Sequence, residues 1–110
     1  MTATTYYTLD NEGYLIDPED WTEAVADILA EHEGIALTAE HRQVLQFMRV
    51  YWSEHRIAPD VRHVIDQLAR TQGIGKTLAK ERLFKLFPYG YVLQACRIAG
   101  MRRPRAWSTG

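Results

Sequence analysis

Apolar residues recur at helical spacing in five stretches of the chain, divided by short clusters of Gly, Pro, Asp and Asn. Ahead of them, Thr4 to Leu9 is rich in β-branched and aromatic residues. Asp10-Asn11-Glu12-Gly13 is turn chemistry before Tyr14-Leu15-Ile16, which predicts a short N-terminal β-hairpin over about 4–16. Asp17 and Pro18 read as the N-cap and first position of a first helix. Trp21, Val25, Ile28 and Leu29 form its apolar stripe, and Gly34 ends it. Thr38 caps a second helix to about Arg56, with Val44, Leu45, Met48, Tyr51 and Trp52 on one face. Pro59 breaks the chain before a third helix, Asp60 to about Thr71, whose Val61, Val64, Ile65 and Leu68 turn inward. After Gly73 and Gly75, Thr77 caps a fourth helix that ends near Phe87-Pro88. A short last helix runs from about Tyr91 to Ala99 and stops at Gly100.

The pattern predicts a mainly α fold: a small helical bundle with a helix-turn-helix-like core, the hairpin and a flexible C-terminal arm. Residues 1–100 are expected to form one helical domain and 101–110 a basic arm. The 110 residues, 46% of them hydrophobic, suit one modest core. No apolar run approaches the ~20 residues of a membrane-spanning helix, and Met1 to Leu9 lacks the features of a secretory signal. A single cysteine excludes an internal disulfide and a Cys-rich metal site, and a reducing, cytoplasmic location is the expectation.

Charge is unevenly distributed. Met1 to Glu40 holds ten acidic residues and no Lys or Arg, whereas from Lys76 onward eight basic residues face Glu81 alone. Either the two ends attract different partners, or they compensate each other within the fold.

The candidate chemistry centres on Cys96. With Val92, Ala95 and Ala99 it lies on the apolar stripe of the last helix, as a small buried side chain would. A functional thiolate would instead need cations, and Arg97, Arg102 and Arg103 are the nearest in sequence. His32, His41, His55 and His63 are scattered without metal-ligand spacing, and no metal or cofactor is expected. The segment from Val44 to Leu86, helix, Pro-containing break, helix, Gly-containing turn and helix, also reads as a helix-turn-helix with Thr77 to Leu86 as its third element. In that arrangement Lys76, Lys80, Arg82 and Lys85 would be possible phosphate contacts and nucleic acid a possible partner.

Several runs together resemble the DsrC/TusE family. They are Asp10-Asn11-Glu12-Gly13-Tyr14-Leu15, Trp21, Glu33 to His41, Pro59 with Arg62, Leu86-Phe87-Pro88-Tyr89-Gly90 and Gln94 to Gly100. The resemblance implies a helical domain with an N-terminal hairpin and a flexible arm. DsrC works with dissimilatory sulfite reductase as a sulfur-carrying protein, and TusE works in the sulfur relay that thiolates tRNA. Carriers of the family hold sulfur on a cysteine near the end of the arm. Matching Gln94 to Gly100 and Pro104 sets Cys96 at an upstream cysteine position and Trp107 at the carrier position. The resemblance therefore implies partners of sulfur-relay or sulfite-reductase type. The chain would bind or regulate them without catalysis, through an arm of Arg97, Arg102, Arg103, Arg105 and Trp107. Two alternatives are a sulfurtransferase-type carrier with its persulfide on Cys96, and a DNA-binding regulator.

Overall fold

The computed structural model describes residues 7–103. Arg105, Trp107 and the first part of the expected hairpin lie outside them. Five α-helices follow one another: α1 (Glu23–His32), α2 (Ala39–His55), α3 (Val61–Gln72), α4 (Lys76–Leu86) and the short α5 (Cys96–Ile98). A 3-10 turn at Pro18–Asp20 precedes α1, and a π-helical turn at Tyr91–Ala95 leads into α5.

Helices α2 and α3 start where their capping residues predict. The Thr38 hydroxyl accepts from the His41 amide and the Asp60 carboxylate accepts from the Arg62 amide, each satisfying a first-turn N–H. Three other expectations are corrected. The hairpin reduces, among the described residues, to one antiparallel bridge, Leu9 to Leu15. The Asp10 carboxylate closes that turn by accepting from the amides of Glu12 (2.9 Å) and Tyr14 (3.0 Å). Tyr14 and Leu15 are both fully buried. A strand on one surface would send neighbouring side chains to opposite faces, so two consecutive buried residues suit an embedded turn better.

The first helix is also split. Asp17 caps only the 3-10 turn, Trp21 takes extended backbone, and Thr22 caps a fresh helix by accepting from Val25. Tertiary structure accounts for the break, because the Trp21 indole N–H donates to the remote Ile98 carbonyl at 2.8 Å. Helix α4 begins at Lys76 with Gly75 as its N-cap, so Thr77 lies inside the first turn and caps nothing. α3 ends on Gly73 at φ +64°, and the three-residue connection leaves the N-cap to Gly75.

The last predicted helix forms, but its first turn is wider. The Gly90 carbonyl is shared by the amides of Gln94 (3.0 Å) and Ala95 (3.4 Å), and Cys96 N–H reaches back five residues to Tyr91. The additional residue rotates Tyr91 into the core and leaves Val92 only half-buried. The core gathers Leu45, Met48, Leu83, Phe87, Tyr91 and Ile98, all essentially without solvent exposure. Met101, placed at the start of the arm by the sequence, is also fully buried, so packing continues one residue past Gly100.

Candidate functional site around Cys96 and the root of the arm

Cys96 starts α5 and has 0% exposure. Burial pushes its thiol from 9.0 up to about 12, against a smaller opposing effect from hydrogen bonding to the neighbouring Tyr91 hydroxyl. Tyr91 is itself enclosed. Its hydroxyl donates to the Pro59 carbonyl, and burial raises its pKa far above the usual phenol range. At neutral pH this corner therefore holds two uncharged groups.

The arginines expected to support a thiolate are directed elsewhere. Arg97 lies 3.6 Å from Glu33 and stacks over the Tyr14 ring, its guanidinium carbon 5.1 Å from the centroid. Its Nε is buried without a hydrogen-bond partner among the described residues. Arg103 pairs with Glu12, while Arg102 is exposed. These contacts answer the charge asymmetry: Glu12, Glu33 and Glu40 near one end of the chain pair with Arg103, Arg97 and Arg82 near the other. The two ends compensate each other, at ~0–1 kcal/mol for each solvent-exposed pair.

The geometry also gives a role to residues for which the sequence suggested none. Four side chains clamp backbone carbonyls and amides around the root of the arm. The Tyr14 hydroxyl donates to Val92 O at 2.9 Å, and Trp21 donates to Ile98 O. Arg49 bridges Ala99 O (3.1 Å) and Pro18 O (2.7 Å). Gln94 accepts from the Tyr89 amide at 2.9 Å and donates to Glu33 at 3.2 Å. Arg49 stands between the indoles of Trp21 and Trp52, 4.8 and 5.2 Å from their centroids, and burial lowers its pKa. Burial likewise raises the Tyr14 pKa, opposed by the charges of Arg97 and Arg103. Tyr14, Trp21 and Gln94 stand in the runs that carry the family resemblance, and Arg49 shows in the sequence as an arginine on the apolar stripe of α2, three residues before Trp52.

The proposed phosphate contacts form no free basic face. Lys76 pairs with Asp66 at 3.1 Å and Arg82 approaches Glu40 at 3.7 Å, leaving Lys80 and Lys85 exposed. The nucleic-acid reading is accordingly not favoured. No cluster of three or more metal-ligating side chains occurs among the described residues, and none of their helices is long and apolar enough to cross a membrane.

A helical body that clamps the root of a C-terminal segment over a buried cysteine matches a known family. The model of the family described as DsrC-like protein matches residues 1–106, and the chain belongs to that family. It is 42% identical over 95 residues to sulfurtransferase TusE of Pectobacterium atrosepticum, covering 86% of each chain. The TusE of Yersinia pseudotuberculosis is 40% identical over 95 residues, 86% of this chain and 87% of that one. Among solved structures, Allochromatium vinosum DsrC superposes with a TM-score of 0.77 at 39% identity, over 91% of this chain and 88% of that one. The oxidized gamma-subunit of the dissimilatory sulfite reductase from Archaeoglobus fulgidus gives 0.78 at 32% identity, over 91% and 90%.

Proposed function

We propose that this protein acts in sulfur relay as a DsrC/TusE-type partner, docking on a sulfurtransferase or sulfite-reductase-type protein without itself holding sulfur covalently. Its relatives bear the names sulfurtransferase TusE and DsrC, which support a place in sulfur transfer. One observation carries the non-carrier part: the single thiol of the sequence is fully enclosed, and burial keeps it protonated at neutral pH. A persulfide forms when a thiolate attacks the sulfane sulfur of a donor, so a neutral, enclosed thiol lacks both charge and access. By the family resemblance Trp107 would stand where carriers place their cysteine, and an indole forms no persulfide. Arg102, Arg103, Arg105 and Trp107 give the arm the arginine and aromatic content of an interface anchor, with residues 1–100 as the docking body. A cytoplasmic location accords with that role.

Mass measurement of the native chain after exposure to inorganic polysulfide tests the reading. The native protein is expected to gain no sulfur, while the urea-unfolded chain gains one sulfur atom at Cys96. Binding to a sulfurtransferase is expected to weaken more in Trp107→Ala than in Cys96→Ala. A sulfane adduct formed on the native chain and passed to an acceptor would overturn the proposal.

A further inference from the structure

Tyr91 opens the π-helical turn and Cys96 closes it. In an α-helix, residues five apart point about 140° away from each other, at 3.6 residues per turn. The wider turn, closed by the bond from the Cys96 amide to the Tyr91 carbonyl, brings the two side chains nearly into line on one face. Tyr91 therefore covers Cys96, with 1% of its own surface exposed and the thiol residue at 0%. Its hydroxyl, hydrogen-bonded to the thiol, also donates to the Pro59 carbonyl. The phenol thus spans from Cys96 to the corner where α2 gives way to α3.

Outside Tyr91 the packing thins toward solvent. Burial is the main cause of its raised pKa, and Cys96, Asp60 and Tyr51 add to it, which sets the last two beside the phenol. Tyr51 is only half-buried, and the Asp60 side chain is 23% exposed. Beyond Tyr51 stand the exposed rings of His55 and His63, 4.2 and 5.6 Å from its own. On this side, among the described residues, the Tyr91 ring and one partly open layer separate the thiol from water. The arm's side is closed more firmly. Ile98, Ala99 and Met101 are fully buried there, and Trp21 and Arg49 bind the carbonyls of the first two.

We propose that Tyr91 decides whether Cys96 can take up sulfur, and that the approach it blocks comes from the α2–α3 corner rather than along the arm. The inference rests on the non-carrier reading and names the side chain that enforces it. With the phenol removed, Cys96 gives its proton to solvent and its thiolate attacks the terminal sulfur of a polysulfide dianion. One S–S bond forms and another breaks, and a polysulfide shorter by one sulfur leaves with the electron pair.

Mass measurement after exposure to inorganic polysulfide, with iodoacetamide alkylation rates beside it, tests the inference on the full chain. Tyr91→Ala is expected to gain one sulfur atom at Cys96 and to alkylate at least about tenfold faster than wild type, the factor that one recovered pKa unit supplies. Tyr91→Phe keeps the ring and is expected to stay as inert as wild type. Met101→Ala truncates an equally buried side chain on the arm's side and is expected to stay inert as well. The gain is expected to be unchanged in low, sub-denaturing urea, as for reaction of the folded chain. If circular dichroism shows Tyr91→Ala unfolded, Tyr91→Leu carries the same expectation. A folded variant of either kind as inert as wild type overturns the inference and leaves the non-carrier reading standing. An equal gain in Met101→Ala, or one that grows with urea, overturns it too, because the thiol would then open through the arm's root or by general unfolding. Sulfur taken up by the native wild type would instead strike down the non-carrier reading.

Discussion

The burial of Cys96 makes a quantitative statement about stability and reactivity together. Folding raises its pKa from 9.0 to about 12, so the folded state disfavours the thiolate relative to the unfolded chain. The stabilisation is full below the unfolded value and is lost as pH rises toward the folded value, because only the unfolded chain releases the proton in that window. Within it, Cys96 makes unfolding easier by about 1.4 kcal/mol per pH unit. Urea unfolding of wild type and Cys96→Ala from about pH 8 to about pH 10.5 reads this as a difference in slope. The variant starts lower, by roughly 1 kcal/mol for the small cavity left by sulfur, and its stability then falls less steeply. Ionisation alone also makes the native thiol about a thousandfold less reactive toward an alkylating reagent at neutral pH, with occlusion adding to the effect. Parallel stability curves for the two proteins would refute the buried-thiol assignment. So would native alkylation at the rate of the unfolded chain.

Two further outcomes test the packing around the site. At Gly100, with φ +73°, an added Cβ would lie 2.5 Å from Trp21 Cδ1; at Gly34, with φ +74°, it would meet nothing within 4 Å. Gly34→Ala is expected to cost about 1 kcal/mol for backbone strain and Gly100→Ala at least about 1 kcal/mol more, by thermal or urea unfolding; equal costs would mean that Trp21 yields freely. His41 is buried with Nδ1 accepting from the Thr38 amide at 3.1 Å and Nε2 donating to Leu86 O at 2.7 Å, an assignment that requires the Nε2–H tautomer. His41→Leu is expected to lose about 2–3 kcal/mol, since it removes the side-chain half of the α2 capping box, leaving the Thr38 amide unpaired, and leaves the carbonyl at the end of α4 without its donor; a loss under about 0.5 kcal/mol would show that water replaces both bonds.

Much of the fold was legible in the chain because its signals are local. Thr38 and Asp60 cap helices within three residues of themselves, and Gly73 and Gly100 end segments by their own backbone freedom. The helical stripes of α2 and α3 are periodic over three or more turns. The errors lie where a remote contact outweighs a local preference. Trp21 fits the apolar stripe of a helix begun at Asp17, yet its indole bonds to Ile98, 77 residues away, and the helix restarts at Thr22. Thr77 resembles a cap in sequence, but the turn geometry set by Gly73 hands that position to Gly75. The resemblance drew attention to the thiol and the arm and included Tyr14 and Gln94 without giving them a role, while Arg49 went unmarked; each acts on a carbonyl or amide whose position depends on the folded chain.

From the order of residues alone follow the mainly helical class, the limits of α2 and α3, the opposed charges of the two ends and the family. The first three rest on composition or on spacing within a few turns, and the family rests on the resemblance of particular residue runs. Whether the lone thiol is open or enclosed, and where the arginines spend their charge, required the three-dimensional packing. Desolvation and ion pairing depend on which distant segments come within a few ångströms of each other, and helical periodicity carries no record of those distances.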